Sequence, residues 1–97
     1  MKSVFIVFNQ VLSDTVQETL DYYDIRGFTL WAEAKGRGTT SGEPHMGSHT
    51  WPAMNSAILA VVDEEKVPKI LEAVRLINAK SELQGIRAFV WHVEQTA

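Results

Sequence analysis

The sequence predicts an α+β fold, with a four-stranded antiparallel sheet carrying two helices on one face. Three observations predict it. Apolar runs rich in β-branched and aromatic residues alternate with helix-period segments in the order β-α-β, β-α-β. The two halves have similar length and are separated by one long stretch rich in glycine and proline. Strands one and three are apolar on both sides, yet two helices can cover only one side of a sheet. Ninety-seven residues make one domain, 1–97, which buries roughly 60–70 % of its unfolded surface.

The first strand is Val4 to Phe8, a continuous apolar run suited to burial on both faces. Ser13 or Asp14 then offers an N-cap, and Val16, Leu20 and Tyr23 follow at helical spacing, which predicts a helix from about Asp14 to Asp24. Gly27 marks the turn out of it. From Phe28 the period becomes two, with Phe28, Leu30, Ala32 and Ala34 alternating with Thr29, Trp31, Glu33 and Lys35. Beyond the long stretch, Ala57 to Val62 is a third strand. Asp63-Glu-Glu opens a second helix where the helix dipole favours acidic residues, and Pro68 places its first turn near Glu64 or Glu65. Val67, Ile70, Leu71, Val74 and Ile77 form its buried stripe. Ser81 to Gly85 is a loop, and Ile86 to Val93 a last strand, with Arg87, Phe89 and Trp91 on one face and Val90 and His92 on the other. This order is that of the ferredoxin-like βαββαβ sandwich. A second copy of the protein is the most economical cover for the free sheet face.

The connecting stretch, Ala34 to Pro52, holds four of the six glycines, two of the three prolines and two of the three histidines. No hydrophobic period runs through it, so it reads as a long loop at about 36–56, the place where recognition is expected. Two constellations lie in it. Gly36-Arg37-Gly38 followed by Thr39, Thr40 and Ser41 suits an anion nest, with converging backbone N–H groups, hydroxyl donors and one cation. Glu43, His45 and His49 offer a carboxylate and two imidazoles, the donor set of Zn or Cu, and His92 is a further candidate from a neighbouring subunit. Trp51 is either a packed loop anchor or a stacking platform for an adenine ring.

Several classes are excluded or left without support. The net charge of −3, with nine scattered Lys and Arg, argues against nucleic acid. No cysteine is present, which removes disulfides, thiol nucleophiles and thiolate metal sites. No apolar run approaches the roughly 20 residues of a membrane span, so direct membrane insertion is not expected. The composition fits a cytoplasmic protein. Glu33 with Lys35 is explained by a solvated strand, and Glu64 with Glu65 by a helix N-terminus. No acid–base pair for catalysis emerges, so an enzyme is not expected.

Five pieces in the correct order resemble the PII signalling family. They are the apolar first strand, Ile25-Arg-Gly27-Phe-Thr-Leu30, Ala34-Lys-Gly-Arg-Gly38, Val62-Asp-Glu-Glu-Lys-Val67 and Arg87-Ala-Phe-Val-Trp-His-Val-Glu94. The similarity spans nearly the whole chain. It implies a homotrimer with sheets facing the threefold axis, and adenine nucleotides bound between subunits, at the base of the long loop and at a Gly-Asp-Gly-Lys loop. The counterpart of that second loop reads Gln84-Gly85-Ile86-Arg87, which adds Gly85 and Arg87 to Gly36, Arg37, Gly38, Thr39 and Thr40 as candidate ligand residues. The long loop is short for the family and lacks its modified tyrosine. The chain reaches Ala97 without the family's trailing arginines. A PII-like regulator is therefore expected, acting through loop 36–52 on a membrane transporter or enzyme by switching between two loop arrangements. The second reading is a trimeric metal-binding protein similar in fold to the CutA family, using the histidines. A small enzyme of the dimeric α+β type is the third.

Overall fold

In a computed structural model of the chain, residues 1–37, 44–45, 54–80 and 85–97 are described, with Arg37, Pro44 and His45 described by their backbone. The strands among them are β1 (Lys2–Asn9), β2 (Thr29–Ala34), β3 (Gly36–Arg37), β4 (Pro44–His45), β5 (Asn55–Val62) and β6 (Ile86–His92). Helix α1 (Ser13–Tyr22) joins β1 to β2, and α2 (Val67–Lys80) joins β5 to β6. The main sheet has the order β2-β5-β1-β6 with every neighbouring pair antiparallel. Both β-α-β units thus cross over one strand, as the ferredoxin-like sandwich requires.

The core lies between one sheet face and the helices. Val4, Ile6 and Phe8 of β1 and Ile58, Ala60 and Val62 of β5 meet Val16 and Leu20 of α1 and Ile70 and Val74 of α2. Each fully buried side chain of this size contributes about 1.5–3 kcal/mol. Four of the five residues of the predicted α2 stripe join this core, Ile70 and Val74 within it and Val67 and Ile77 at its margins, while Leu71 is half-buried outside the cluster.

Element ends depart from the sequence reading in four places. The chain enters α1 through a 3-10 turn, Gln10–Leu12, and its cap is Asn9, whose side chain accepts from the Val11 N–H at 3.0 Å. Ser13 and Asp14 lie inside the helix instead. The helix leaves at Tyr22, and the turning residue is Asp24, not Gly27. Asp24 has φ 59°, while Ile25 N–H donates to the Leu20 carbonyl at 2.8 Å and Asp24 N–H to the Asp21 carbonyl at 3.0 Å. This is a Schellman ending with aspartate where glycine is usual, sealed by the apolar pair Leu20 and Ile25. At the second helix the expected start at Glu64 is a 3-10 turn, Glu64–Lys66, and the α-helix begins at Val67. Pro68 then sits where its missing N–H is not needed. Finally, the long loop is not wholly irregular. Gly36 pairs with His45 and Arg37 with Pro44 in a short antiparallel ladder, and β5 begins at Asn55, within the range read as loop.

The other sheet face is open and apolar. Cross-strand register aligns Thr29, Leu59, Phe5 and Phe89 in one row, and Trp31, Ala57, Val7 and Arg87 in the next. Phe5 and Trp31 meet edge to face at 6.4 Å above the small Ala57. Trp31, Phe89 and Trp91 remain 46 %, 50 % and 49 % exposed.

Candidate functional site

The end of the sheet from which the long loop springs is built from the last residues of β1 and β2 and the first of β5 and β6. Strand β2 carries a bulge there. Trp31 pairs with Ala57 and Ala34 with Asn55, so three steps on β2 match two on β5. The bulge frees the Ala32 carbonyl, which accepts from Ser56 Oγ at 2.7 Å and Gln10 Nε2 at 3.2 Å. Just beyond it the β3–β4 ladder forms the stem of the loop. Gly36 lies against the buried Asn55, and a Cβ added there would meet Asn55 Nδ2 at 2.9 Å. Any larger residue would have to displace the Asn55 amide, so the close approach favours glycine.

Gly85 and Arg87 lie at the same end but on the opposite edge. Gly85 has φ 74° with open space around its Cα, so backbone conformation alone selects glycine. Its carbonyl accepts from Asn9 N–H at 3.1 Å. The start of β6 is held by the Asn78 amide, which donates to the Ile86 carbonyl at 2.7 Å and accepts from Ile86 N–H at 3.2 Å. Arg87 is exposed on the open face. Since β2 and β6 are the outer strands, their ends are separated by three strand spacings, about 14 Å. Gly36, which lies against Asn55 of the inner strand β5, stands about two strand spacings, roughly 10 Å, from Gly85, so one subunit does not bring the two glycines into contact. Gly38, Thr39 and Thr40 lie outside the described residues.

Of the three histidines, His92 and the backbone of His45 fall among the described residues. His45 is placed by its backbone beside Gly36. His92 pairs with Lys2 at the far end of β6, about 20 Å along the strand from the sheet end that carries the loop stem. Among the described residues no three His, Asp or Glu side chains converge. Glu43 and His49 lie outside the described residues, as does Trp51.

The sequence reading missed a concavity at the opposite end of β2 and β5. It encloses about 220 Å³ and is lined by Ile25, Arg26, Gly27, Val62, Asp63 and Lys66, among others. Arg26 Nε donates to Asp24 Oδ1 at 2.9 Å, and Lys66 Nζ to the Asp24 backbone carbonyl at 3.0 Å. The hydrogen bond from Arg26, its charge and that of Lys66 hold the Asp24 carboxyl below its usual value, while Asp24 raises Arg26. Two cations thus stand beside a glycine that the fold does not demand, because Gly27 has neither a left-handed backbone nor a crowded Cα. Ile25-Arg-Gly27-Phe-Thr carries part of this signal, but by itself it reads only as a turn. Lys66 is 40 positions from Arg26, a juxtaposition that folding alone creates.

Comparison with known proteins follows this geometry. CPII, a nitrogen regulatory PII-like protein from Thiomonas intermedia K12 whose structure holds ADP, AMP and bicarbonate, superposes with a TM-score of 0.72 at 23 % identity, covering 93 % of this chain and 82 % of that one. Its apo form gives a TM-score of 0.67 at 17 % identity, with 95 % and 89 % covered. A protein from Thermus thermophilus, described as PII-like and signalling, gives 0.63 at 26 % identity, with 93 % and 83 % covered. None of the curated proteins matches the chain by sequence. Among the described residues no helix is long and apolar enough to cross a membrane. A family model, nitrogen regulatory protein P-II, matches residues 1–97, and the chain belongs to that family.

Proposed function

We propose that this chain is a cytoplasmic PII-like regulator, not an enzyme. It takes an adenine nucleotide or another anion at clefts between the subunits of a homotrimer. One observation carries the reading: the candidate ligand groups are split. Gly36 and Arg37 lie on one sheet edge, Gly85 and Arg87 on the other, and the Arg26–Lys66 concavity at the opposite end. A concavity of about 220 Å³ is smaller than the roughly 300–1,000 Å³ of ligand pockets. A nucleotide needs further walls, which a second subunit of the proposed trimer supplies, and the open apolar face provides the means of association. The glycines at 36 and 85 let backbone N–H groups approach phosphate, and Arg37 and Arg87 supply charge. CPII, bound to ADP, AMP and bicarbonate in one structure and to ADP, AMP and acetate in another, supports this ligand class.

The output runs through residues 36–52, most of which lie outside the described residues. Ligand contacts at Gly36 to Thr40 bias the loop toward one arrangement, and the loop then engages or releases a protein partner such as a transporter or enzyme.

Native mass spectrometry tests the proposal, using the protein alone and with ATP, ADP, AMP, cyclic AMP and bicarbonate. A trimer taking up about three nucleotides is expected. A stable monomer, or a trimer that retains no nucleotide or bicarbonate, overturns it.

A further inference from the structure

Gln10, which no ligand reading called upon, ties together both legs of the long loop. Its backbone N–H donates to the Met54 carbonyl at 2.7 Å, on the leg that leads into β5. Its side chain donates from Nε2 to the Ala32 carbonyl at 3.2 Å, on the bulge that leads out of β2. The residue before it, Asn9, donates its N–H to Gly85 at the opposite sheet edge. Ser56 Oγ takes the second lone pair of the same Ala32 carbonyl at 2.7 Å. A two-residue junction at the end of β1 is therefore hydrogen-bonded to each segment that carries a described ligand candidate at this end.

We propose that Gln10 is a positioning residue: by holding the bulged Ala32 carbonyl against Met54's leg, it fixes where Gly36 and Arg37 are presented. The physical reason is leverage at the bulge. A rotation of about 10° there, acting over the roughly 13 Å of strand from Ala32 to Gly36, displaces the stem by about 2 Å. Phosphate recognition by backbone N–H groups does not survive such a shift, because hydrogen bonds weaken steeply beyond about 3.2 Å. Gln10 is exposed, so its role is in geometry and not in folding. The consequence for nucleotide affinity rests on the function proposed above, whereas the consequence for the stem does not.

The experiment compares wild type with Gln10→Ala, Gln10→Glu and Gln10→Lys. Glutamate keeps the shape but turns a donor into an acceptor, and lysine keeps a donor at similar reach. Amide hydrogen exchange of Gly36, Arg37 and His45 is measured without ligand, and ADP affinity by calorimetry. With Ala and Glu we expect stem exchange to quicken by about threefold or more, and the ADP Kd to weaken by about three- to tenfold. Exchange in β1 and β5 stays unchanged, and lysine restores wild-type behaviour. Unchanged stem exchange in both Ala and Glu variants, or failure of lysine to restore it, overturns the proposal. Should wild type not bind ADP, the nucleotide reading fails, and the exchange measurement alone decides the role of Gln10.

Discussion

Phe89 stands on the outer strand β6 of the open sheet face, beside Phe5 in the register, and is 50 % exposed. If that face is a subunit interface, Phe89→Ser attacks association more than folding. A phenylalanine side chain presents about 150–250 Å², so about 100 Å² is free for a partner. At about 25 cal/mol per Å², removal costs about 2.5 kcal/mol per subunit. Three subunits lose about 7 kcal/mol together, on the order of 10⁵ in a third-order association constant. The midpoint concentration varies as the inverse square root of that constant, so it rises roughly several hundredfold. Sedimentation velocity across nanomolar to high micromolar protein reads the midpoint directly, with far-UV circular dichroism confirming that the variant folds. Leu76→Gln is the control, since Leu76 is 54 % exposed on the outer side of α2 and away from the sheet. It leaves the midpoint unchanged. The reasoning fails if wild type sediments as a monomer at about 10 μM, or if Phe89→Ser and wild type dissociate at the same concentration.

Three further outcomes follow from the described residues. Asn78→Ala strands the N–H and carbonyl of Ile86 and costs about 2 kcal/mol, lowering Tm by roughly 10 °C; a urea midpoint shift worth less than about 0.5 kcal/mol refutes this. Gly85→Ala costs about 1 kcal/mol through its positive φ and, on the proposed function, also weakens ADP binding, whereas Gly27→Ala stays within about 0.5 kcal/mol; thermal melts of the two variants that give equal losses contradict this. Because Asp24 titrates below its ordinary value, its ion pair with Arg26 stabilises fully above the unfolded carboxyl pKa of about 3.9 and is lost as pH falls through the lower folded value. The Tm difference between wild type and Asp24→Asn is therefore constant from about pH 5 upward and closes below about pH 4; a difference that persists at pH 2 contradicts the assignment.

The sequence alone determined the four strands of the main sheet, the two helices and their order. Period-two and period-3.6 patterning report which face of each segment is apolar, and burial of those faces dictates the layers. That is why the α2 stripe from Val67 to Ile77 and the apolar second face of β1 and β5 are legible in the sequence. The sequence also marked Gly36 and Gly85 as candidate ligand residues, and the structure adds a close approach to Asn55 at the first and a positive φ at the second, both of which favour glycine. It did not reveal that Asp24 terminates α1, because a left-handed aspartate depends on the Leu20–Ile25 contact and the Arg26 and Lys66 partners that stabilise it. Nor did it show the bulge at Ala32, which exists because Ser56 and Gln10 arrive from distant positions to satisfy a carbonyl the ladder leaves free. The separation of His92 from the loop stem is likewise a matter of strand order and direction. Local periodicity fixes what a segment is; only the packed chain decides which segments become neighbours.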